Sequence, residues 1–497
     1  MPAPGVCLNI MEARHKQDGY GSSANPEGFL NQDYKQLKQY CLIQGVRYID
    51  DMFPPDRNSI GHGLLRPSDL DLVVWLRPAV SKIAPNPSFV LDGISRFDFG
   101  QGVLGNCWFL ASIGALTFQN HVLGQVVPLE QTFDENYCGL FHFRFWRFGR
   151  WVDVIIDDKL PTINGRLIFV HSKDPNEFWP ALLEKAYAKV CGSYADMCAG
   201  TPAEAMMDFT GGVHMCIQLS DPPKNLWELM YRAGSSNSLM GCGTPQGETS
   251  ANTVLPNGLV QGHAYTVTGV KQMMSQGKLV NLVRLWNPWG KGEWKGDWSD
   301  HIWFHISSIT SRKKTICVSE LIFCFDRMTM EDFCKFYTDL DICCTSPDFL
   351  DGNSSSRWNT STYEGRWVAG TTAGGCMNNR DSFWTNPQYR VKIDGPYSEK
   401  DGGKNMLVSL MQKPDKRNRR LVQNVHIGFS VFEGKFPATF FNTRQPVAQT
   451  KAYLDARDVM EFLLLKPAEY LIVPSTFSAN ETASFLLIIQ SKAETHG

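Results

Sequence analysis

The feature that most constrains this chain is a change of texture near residues 340–355. Before it, helical and strand periodicities alternate; after it, short β-rich runs dominate. Residues 357–395 and 404–491 carry runs such as MLVSLM, VHIGFSVFE, EYLIVPSTF and ASFLLIIQ, punctuated by Gly, Asn, Pro and Asp. Strands of that length and spacing suit a β-sandwich. Earlier in the chain, Phe141, Phe143 and Phe145 alternate along one run, and Val152, Val154 and Ile156 along the next, beyond a Phe148-Gly149 turn. Period two reads as strands. In FWPALLEKAYAKV, residues 178–190, Leu182, Leu183, Ala186 and Val190 fall at helical spacing, and the alanines and the Glu184/Lys185 face support a helix. The expectation is an α+β unit followed by an all-β unit. At about 150 residues per domain, 497 residues make roughly three.

Composition removes several classes of function. The net charge of −2 argues against bulk electrostatic binding to nucleic acid or anionic membrane. No apolar run reaches the roughly 18 residues of a membrane helix. The N-terminus, MPAPGVCLNIMEARHKQDGYG, has no basic start followed by an apolar core, so no secretory signal is expected. The 14 cysteines are spread widely without a Cys-x-x-Cys pair, which favours reduced thiols and a cytoplasmic setting over a disulfide framework or a zinc site of that type. The sequons at Asn353, Asn359 and Asn480 then read as polar loops.

Three segments carry chemistry. In Gln101-Gly-Val-Leu-Gly-Asn-Cys-Trp-Phe-Leu110, a glycine-rich turn leads into a helix whose buried face is Phe109, Leu110, Ile113 and Leu116. Cys107 would open that helix, where the dipole and unpaired amides favour thiolate over thiol; taken alone, it reads better as a buried cysteine. In Gly258-Leu-Val-Gln-Gly-His-Ala-Tyr-Thr-Val-Thr-Gly269, alternation through His263, Tyr265 and Val267 reads as a strand. An imidazole there could take a thiol proton and return it to a leaving amine, although a lone strand histidine is usually a hydrogen-bonded core residue. In Leu282-Val-Arg-Leu-Trp-Asn-Pro-Trp-Gly290, an apolar strand ends at Asn287, which could fix ring angle and tautomer without adding charge, while Trp289 covers that bond; alone, it reads as a turn asparagine beside a core tryptophan. The order Cys…His…Asn over long separations raises the joint odds of a papain-like arrangement. Gln101, six positions before Cys107, is placed to donate a side-chain amide to an oxyanion, with the Cys107 amide as second donor.

These blocks resemble those of the calpains, which show Gln-Gly-x-Leu-Gly-Asp-Cys-Trp, Gly-His-Ala-Tyr and Asn-Pro-Trp-Gly. Here they stand at Gln101–Trp108, Gly262–Tyr265 and Asn287–Gly290, with Asn106 in place of the usual Asp. Asn176-Glu-Phe-Trp, Leu183-Glu-Lys-Ala-Tyr-Ala-Lys, Asp208-Phe-Thr-Gly-Gly-Val, Trp294-x-Gly-x-Trp-Ser-Asp300, Tyr363-Glu-Gly-x-Trp and Val473-Pro-Ser-Thr-Phe are similar too. The resemblance covers about residues 35–490.

Residues 1–46, polar and rich in Gly, Asn, Gln and Lys, read as a mobile N-terminal arm with a short helix; the resemblance implies a papain-like two-lobed protease core over 47–340. The Cys lobe would run to about 202 and the His/Asn lobe over 203–340. A linker at 341–355, a C2-like sandwich at 356–492 and a tail at 493–497 follow. It implies a calcium-dependent intracellular cysteine endopeptidase making limited cuts in extended or disordered protein segments. The first Ca2+ site would use the carbonyls of Leu91 and Gly93 with the carboxylates of Asp98 and Glu177; the second would use Glu293 and Asp300. Residues 301–327 depart from the family: Phe323 and Phe325 stand where Asp and Glu are expected, and Arg96 loses the glutamate it would bridge to. A rival expectation is therefore a catalytically impaired relative that acts by binding. No penta-EF-hand calcium loop occurs, so pairing with the small calpain subunit is not expected. The basic stretch 413–420 reads as a solvated loop, with a weak acidic-lipid contact as the functional alternative.

Overall fold

The computed structural model describes residues 17–80, 84–95, 99–100, 102, 105–247, 253–290, 292, 294–299, 326–350, 358–394, 404–434, 440–441, 443–492 and 494–496. Asp98, Gln101, Glu293, Asp300, Arg96 and nearly all of 301–327 lie outside the described residues. The chain forms two compact units, residues 1–345 and 346–497.

The first unit mixes helices and sheets. Strand β1 (Glu27–Gly28) leads to helix α1 (Tyr34–Gln44), capped by the Asp33 carboxylate and stopped by Gly45 at φ 62°. The arm expected to be mobile is held here: Cys41 packs with Tyr48, Cys138, Leu140 and Ile155. Helix α2 (Cys107–Leu116) follows, then strands β2 (Leu140–Arg147) and β3 (Arg150–Asp157), which pair antiparallel across the Phe148-Gly149 turn as their alternation demands. β1 adds to β3 in parallel.

Helix α3 (Trp179–Cys191) is buried at every residue, so Glu184 and Lys185 form no solvent face. Each buried charge has partners. Lys185 Nζ donates to the Asp157 carboxylate (2.7 Å) and to the carbonyls of Asp157 and Lys159; Lys189 Nζ donates to the Asp50 carboxylate (2.6 Å), Gln32 and the Ile155 carbonyl. Such burial is tolerated because every ammonium proton is matched.

Helix α4 (Pro202–Thr210) opens the second half of this unit. It carries a six-stranded sheet made of β4 (Val213–Gln218), β5 (Leu239–Gly243), β6 (Ala264–Ser275), β7 (Lys278–Trp286), β8 (Asp326–Thr329) and β9 (Asp339–Cys344). The spatial order is β8-β7-β6-β5-β9-β4, with helix α5 (Met330–Phe336) joining β8 to β9.

The second unit is all strand apart from short turns of helix. β10 (Asn359–Trp367), β12 (Met406–Lys413), β15 (Asp458–Leu463) and β17 (Ala483–Ser491) form one sheet in the order β10-β17-β12-β15. β11 (Tyr389–Asp394), β13 (Ile427–Glu433), β14 (Ala448–Gln449), β16 (Ala468–Thr476) and β18 (Glu494–His496) form the other, in the order β14-β13-β16-β11-β18. Alternate residues build one shared core: Met406, Val408 and Leu410 and Phe485, Leu487 and Ile489 from the first sheet, Ile427, Phe429 and Val431 from the second. Each buried side chain of this size contributes about 1.5–3 kcal/mol.

Candidate active site

Cys107 is the first residue of α2, and the nine that follow it in the helix are buried. Position N-cap belongs to Asn106, whose side chain does not cap. Its Nδ2 donates instead to Glu184 Oε1 on α3 (2.6 Å), and Glu184 Oε2 accepts the Val170 amide (2.9 Å). Burial pushes the Glu184 carboxyl up to about 8, opposed by these two donors. The helix is fixed by three further bonds: Trp108 Nε1 donates to the Met197 carbonyl (3.0 Å), Ser112 Oγ to the Pro202 carbonyl (3.0 Å), and Thr266 Oγ1 on β6 to the Ala111 carbonyl (2.6 Å). Gly114 is where helix and sheet come closest. A Cβ there would lie 2.6 Å from Thr266 Oγ1 and 2.7 Å from the Trp286 ring.

That contact seats α2 against β6 and β7. Burial raises the Cys107 thiol, while the backbone amides of Ala264, Trp108 and Cys107 itself favour its thiolate. Ala264 directly follows His263. The histidine therefore stands one residue before β6, not within it, after Gly262 turns the chain at φ 59°.

His263, just before β6, and Asn287, just after β7, come together. His263 Nε2 lies 2.8 Å from Asn287 Oδ1. The amide orientation follows from its neighbours: the Trp289 amide donates to the same Oδ1 (2.9 Å), and Nδ2 donates to the Gly292 carbonyl (3.2 Å). An oxygen facing the ring requires Nε2 to carry the proton, which leaves Nδ1 as the acceptor. Nδ1 is buried and has no hydrogen-bond partner among the described residues. Burial pushes the imidazole down to about 4, opposed by Asn287. Burial thus works against the charged form of both the Cys107 thiol and the His263 imidazole. The Trp289 ring lies 6.4 Å from the imidazole, tilted at 55°.

One residue that sequence reasoning missed holds the histidine backbone. Thr244, just beyond β5, accepts the His263 amide on Oγ1 (3.0 Å), and its own amide donates to the His263 carbonyl (3.0 Å). Neither the local pattern nor any motif points to it.

Of the expected calcium ligands, Leu91, Gly93 and Glu177 are described. Glu177 is buried; Oε1 accepts the Leu91 amide (2.8 Å) and Oε2 the Ser172 hydroxyl (2.7 Å). Asp92 at φ 52° and Gly93 at φ 89° make the turn beside it.

Comparison with known proteins places this geometry. A family model described as calpain family cysteine protease matches residues 48–344, and one described as calpain large subunit, domain III, matches residues 363–490. The calpain-1 catalytic subunits of Rattus norvegicus and Mus musculus are each 40% identical over 97% of this chain and 70% of their own length. Calpain-8 of Rattus norvegicus is 38% identical over 98% of this chain and 72% of its own. With both family models in sequence along it and relatives at that identity, the chain belongs to the calpain family and is a calpain-type cysteine endopeptidase.

Proposed function

We propose that the chain cleaves proteins through a Cys107-His263-Asn287 triad in a papain-like core, under calcium control, with a C2-like sandwich following. The reading rests on one observation above all. A buried imidazole has Nε2 held by Asn287 and Nδ1 open, one residue before Ala264, whose backbone favours the Cys107 thiolate. Nδ1 is then the site that takes the thiol proton. The thiolate, supported by the Ala264, Trp108 and Cys107 amides, attacks the peptide carbonyl carbon. The C–N bond breaks as the imidazolium returns its proton to the leaving amine, and a water activated by the same nitrogen releases the acyl group. Desolvation opposes the charged pair, so the backbone of Ala264, Trp108 and Cys107 has to supply the thiolate stabilisation that water does not. Gln101 supplies an oxyanion donor with the Cys107 amide, and Trp289 keeps water from the His263–Asn287 bond.

The carbonyls of Leu91 and Gly93 lie on one tight turn with the Glu177 carboxylate beside it, hard oxygens that suit a calcium ion; Asp98 would complete that set, and Glu293 and Asp300 would contribute to a second site. When bound, calcium supplies charge that draws these segments together. The buried Glu177 carboxylate, joined to Leu91 and Ser172, holds the turn in place for that role. Substrates are extended or disordered protein segments, and the setting is cytoplasmic. No helix of the described residues is long and apolar enough to cross a membrane.

Labelling of Cys107 by a thiol-directed peptide epoxide, with and without calcium, tests the proposal. Calcium-dependent labelling together with cleavage of an unfolded protein is expected. Absent labelling in both conditions would favour the impaired relative suggested by Phe323 and Phe325, which acts by binding alone.

A further inference from the structure

Far from the sulfur in sequence, the six-stranded sheet places a second set of reactive side chains together. β4 is its outermost strand among those described, paired only with β9. Gly212 sets the pairing: a Cβ there would lie 2.1 Å from the Cys344 carbonyl oxygen, so no larger residue permits this approach. The resulting register puts Cys216 opposite Asp341 and His214 opposite Cys343. Residues two apart share a face, and opposite residues share it too. His214, Cys216 and Asp341 therefore project from one face, and their ligand atoms lie within 4.8 Å of one another. His214 Nε2 is 2.7 Å from Asp341 Oδ1.

A His–Asp pair alone would explain two of these groups. The thiol is the third, on the exposed side of a largely buried carboxylate. Asp339 stands two positions from Asp341 on the same strand, opposite Gln218, and adds a second carboxylate beside the cluster. Gln218 Nε2 donates weakly to the sulfur (3.5 Å). A divalent cation would relieve this concentration of like charge.

We propose that His214, Cys216 and Asp341 bind a borderline-soft divalent metal of the zinc class, leaving an open coordination position that faces solvent. Imidazole nitrogen, thiolate sulfur and carboxylate oxygen together suit zinc or cobalt, whereas calcium and magnesium take oxygen ligands. On binding, Cys216 loses its proton to solvent and coordinates as thiolate, and the ion ties β4 to β9 through side chains. The site is independent of the calcium ligands and of the peptidase reading.

The test uses the full chain carrying Cys107→Ala, so that the active-site sulfur contributes no metal ligand. Titration with cobalt(II) is expected to show a single tight equivalent with a sulfur-to-cobalt charge-transfer band, unmoved by excess calcium. Cys216→Ser, an exposed and nearly isosteric change, removes the band. His214→Asn weakens cobalt binding by about tenfold or more while the band persists at saturation. Cys198→Ser leaves both unchanged, and circular dichroism confirms that each variant is folded. Absence of the band in the parent, its persistence in Cys216→Ser, or equal competition by calcium overturns the proposal.

Discussion

The two units of this chain keep their interiors dry by different means. Among the described residues, the protease unit buries Asp50, Asp157, Asp158, Asp208, Glu177, Glu184, Lys185 and Lys189, each held by side chains or carbonyls. Among its described residues, the buried polar ones of the sandwich unit are uncharged, such as Ser409, Gln412, Thr450, Ser475 and Gln490. Its ion pairs, Arg390–Glu469, Lys392–Asp394 and Lys413–Glu364, lie at the surface. The sandwich is secured by alternating apolar side chains and ladder hydrogen bonds. The protease unit adds charges that tie elements distant in sequence, as Lys189 on α3 ties Asp50. One unit should therefore respond sharply to a lost partner or a change of pH, and the other mainly to lost volume.

The largest effect should be confined to chemistry. Cys107→Ala is expected to lower peptide cleavage by at least about a thousandfold, with no change in melting temperature of either unit; residual turnover near the wild-type rate would remove the sulfur from the mechanism. Next comes Lys189→Met, which leaves the Asp50 carboxylate buried without its ammonium. We expect about 3–5 kcal/mol of destabilisation, seen by hydrogen exchange across α3 and β3 and absent from the sandwich strands. Loss spread equally over both units would erase the distinction drawn here.

The third effect depends on pH. The folded His263 value, about 4, lies below the ordinary 6.5, so the unfolded chain binds the proton first. The contribution of the neutral ring is present above pH 6.5 and lost as pH falls toward 4, in all about 3 kcal/mol. Glu184, raised to about 8, acts in the other direction, favouring the fold at low pH and losing that contribution as pH rises from 4.5 to 8. Denaturant midpoints of wild type and His263→Gln, measured between pH 4 and 7, should separate the two: the variant lacks the acid loss and keeps the alkaline one. The smallest effect belongs to the sandwich surface. Lys413→Met, which breaks the 2.9 Å pair with Glu364, should change stability by less than about 1 kcal/mol.

The same contrast explains what could be read before any coordinates. Where burial follows a local period, the chain announces it: Phe141 to Ile156 as a hairpin, and Met406 to Ile489 as sandwich strands. The motif residues His263 and Asn287 were legible because glycine, proline and tryptophan neighbours mark their turns. The buried charges were not. Glu184 and Lys185 supported a helix, but nothing nearby reveals Asn106 and Asp157 as their buried partners. Thr244 was silent for the same reason, as its bonds to His263 span 19 positions. The strand start was misplaced by one residue because Gly262 turns the backbone just before His263. His214, Cys216 and Asp341 depend on register, a property of two strands together rather than of either alone.

Gly114 sits about two turns along α2 from Cys107 and touches no reacting atom. Yet its missing methyl is the clearance that lets the helix settle onto Thr266 and Trp286. A single added carbon would act as a wedge and shift α2 away from β6. The spacing of helix and sheet beneath the proposed site is thus gauged at a distance, by a position whose contribution is to contain nothing.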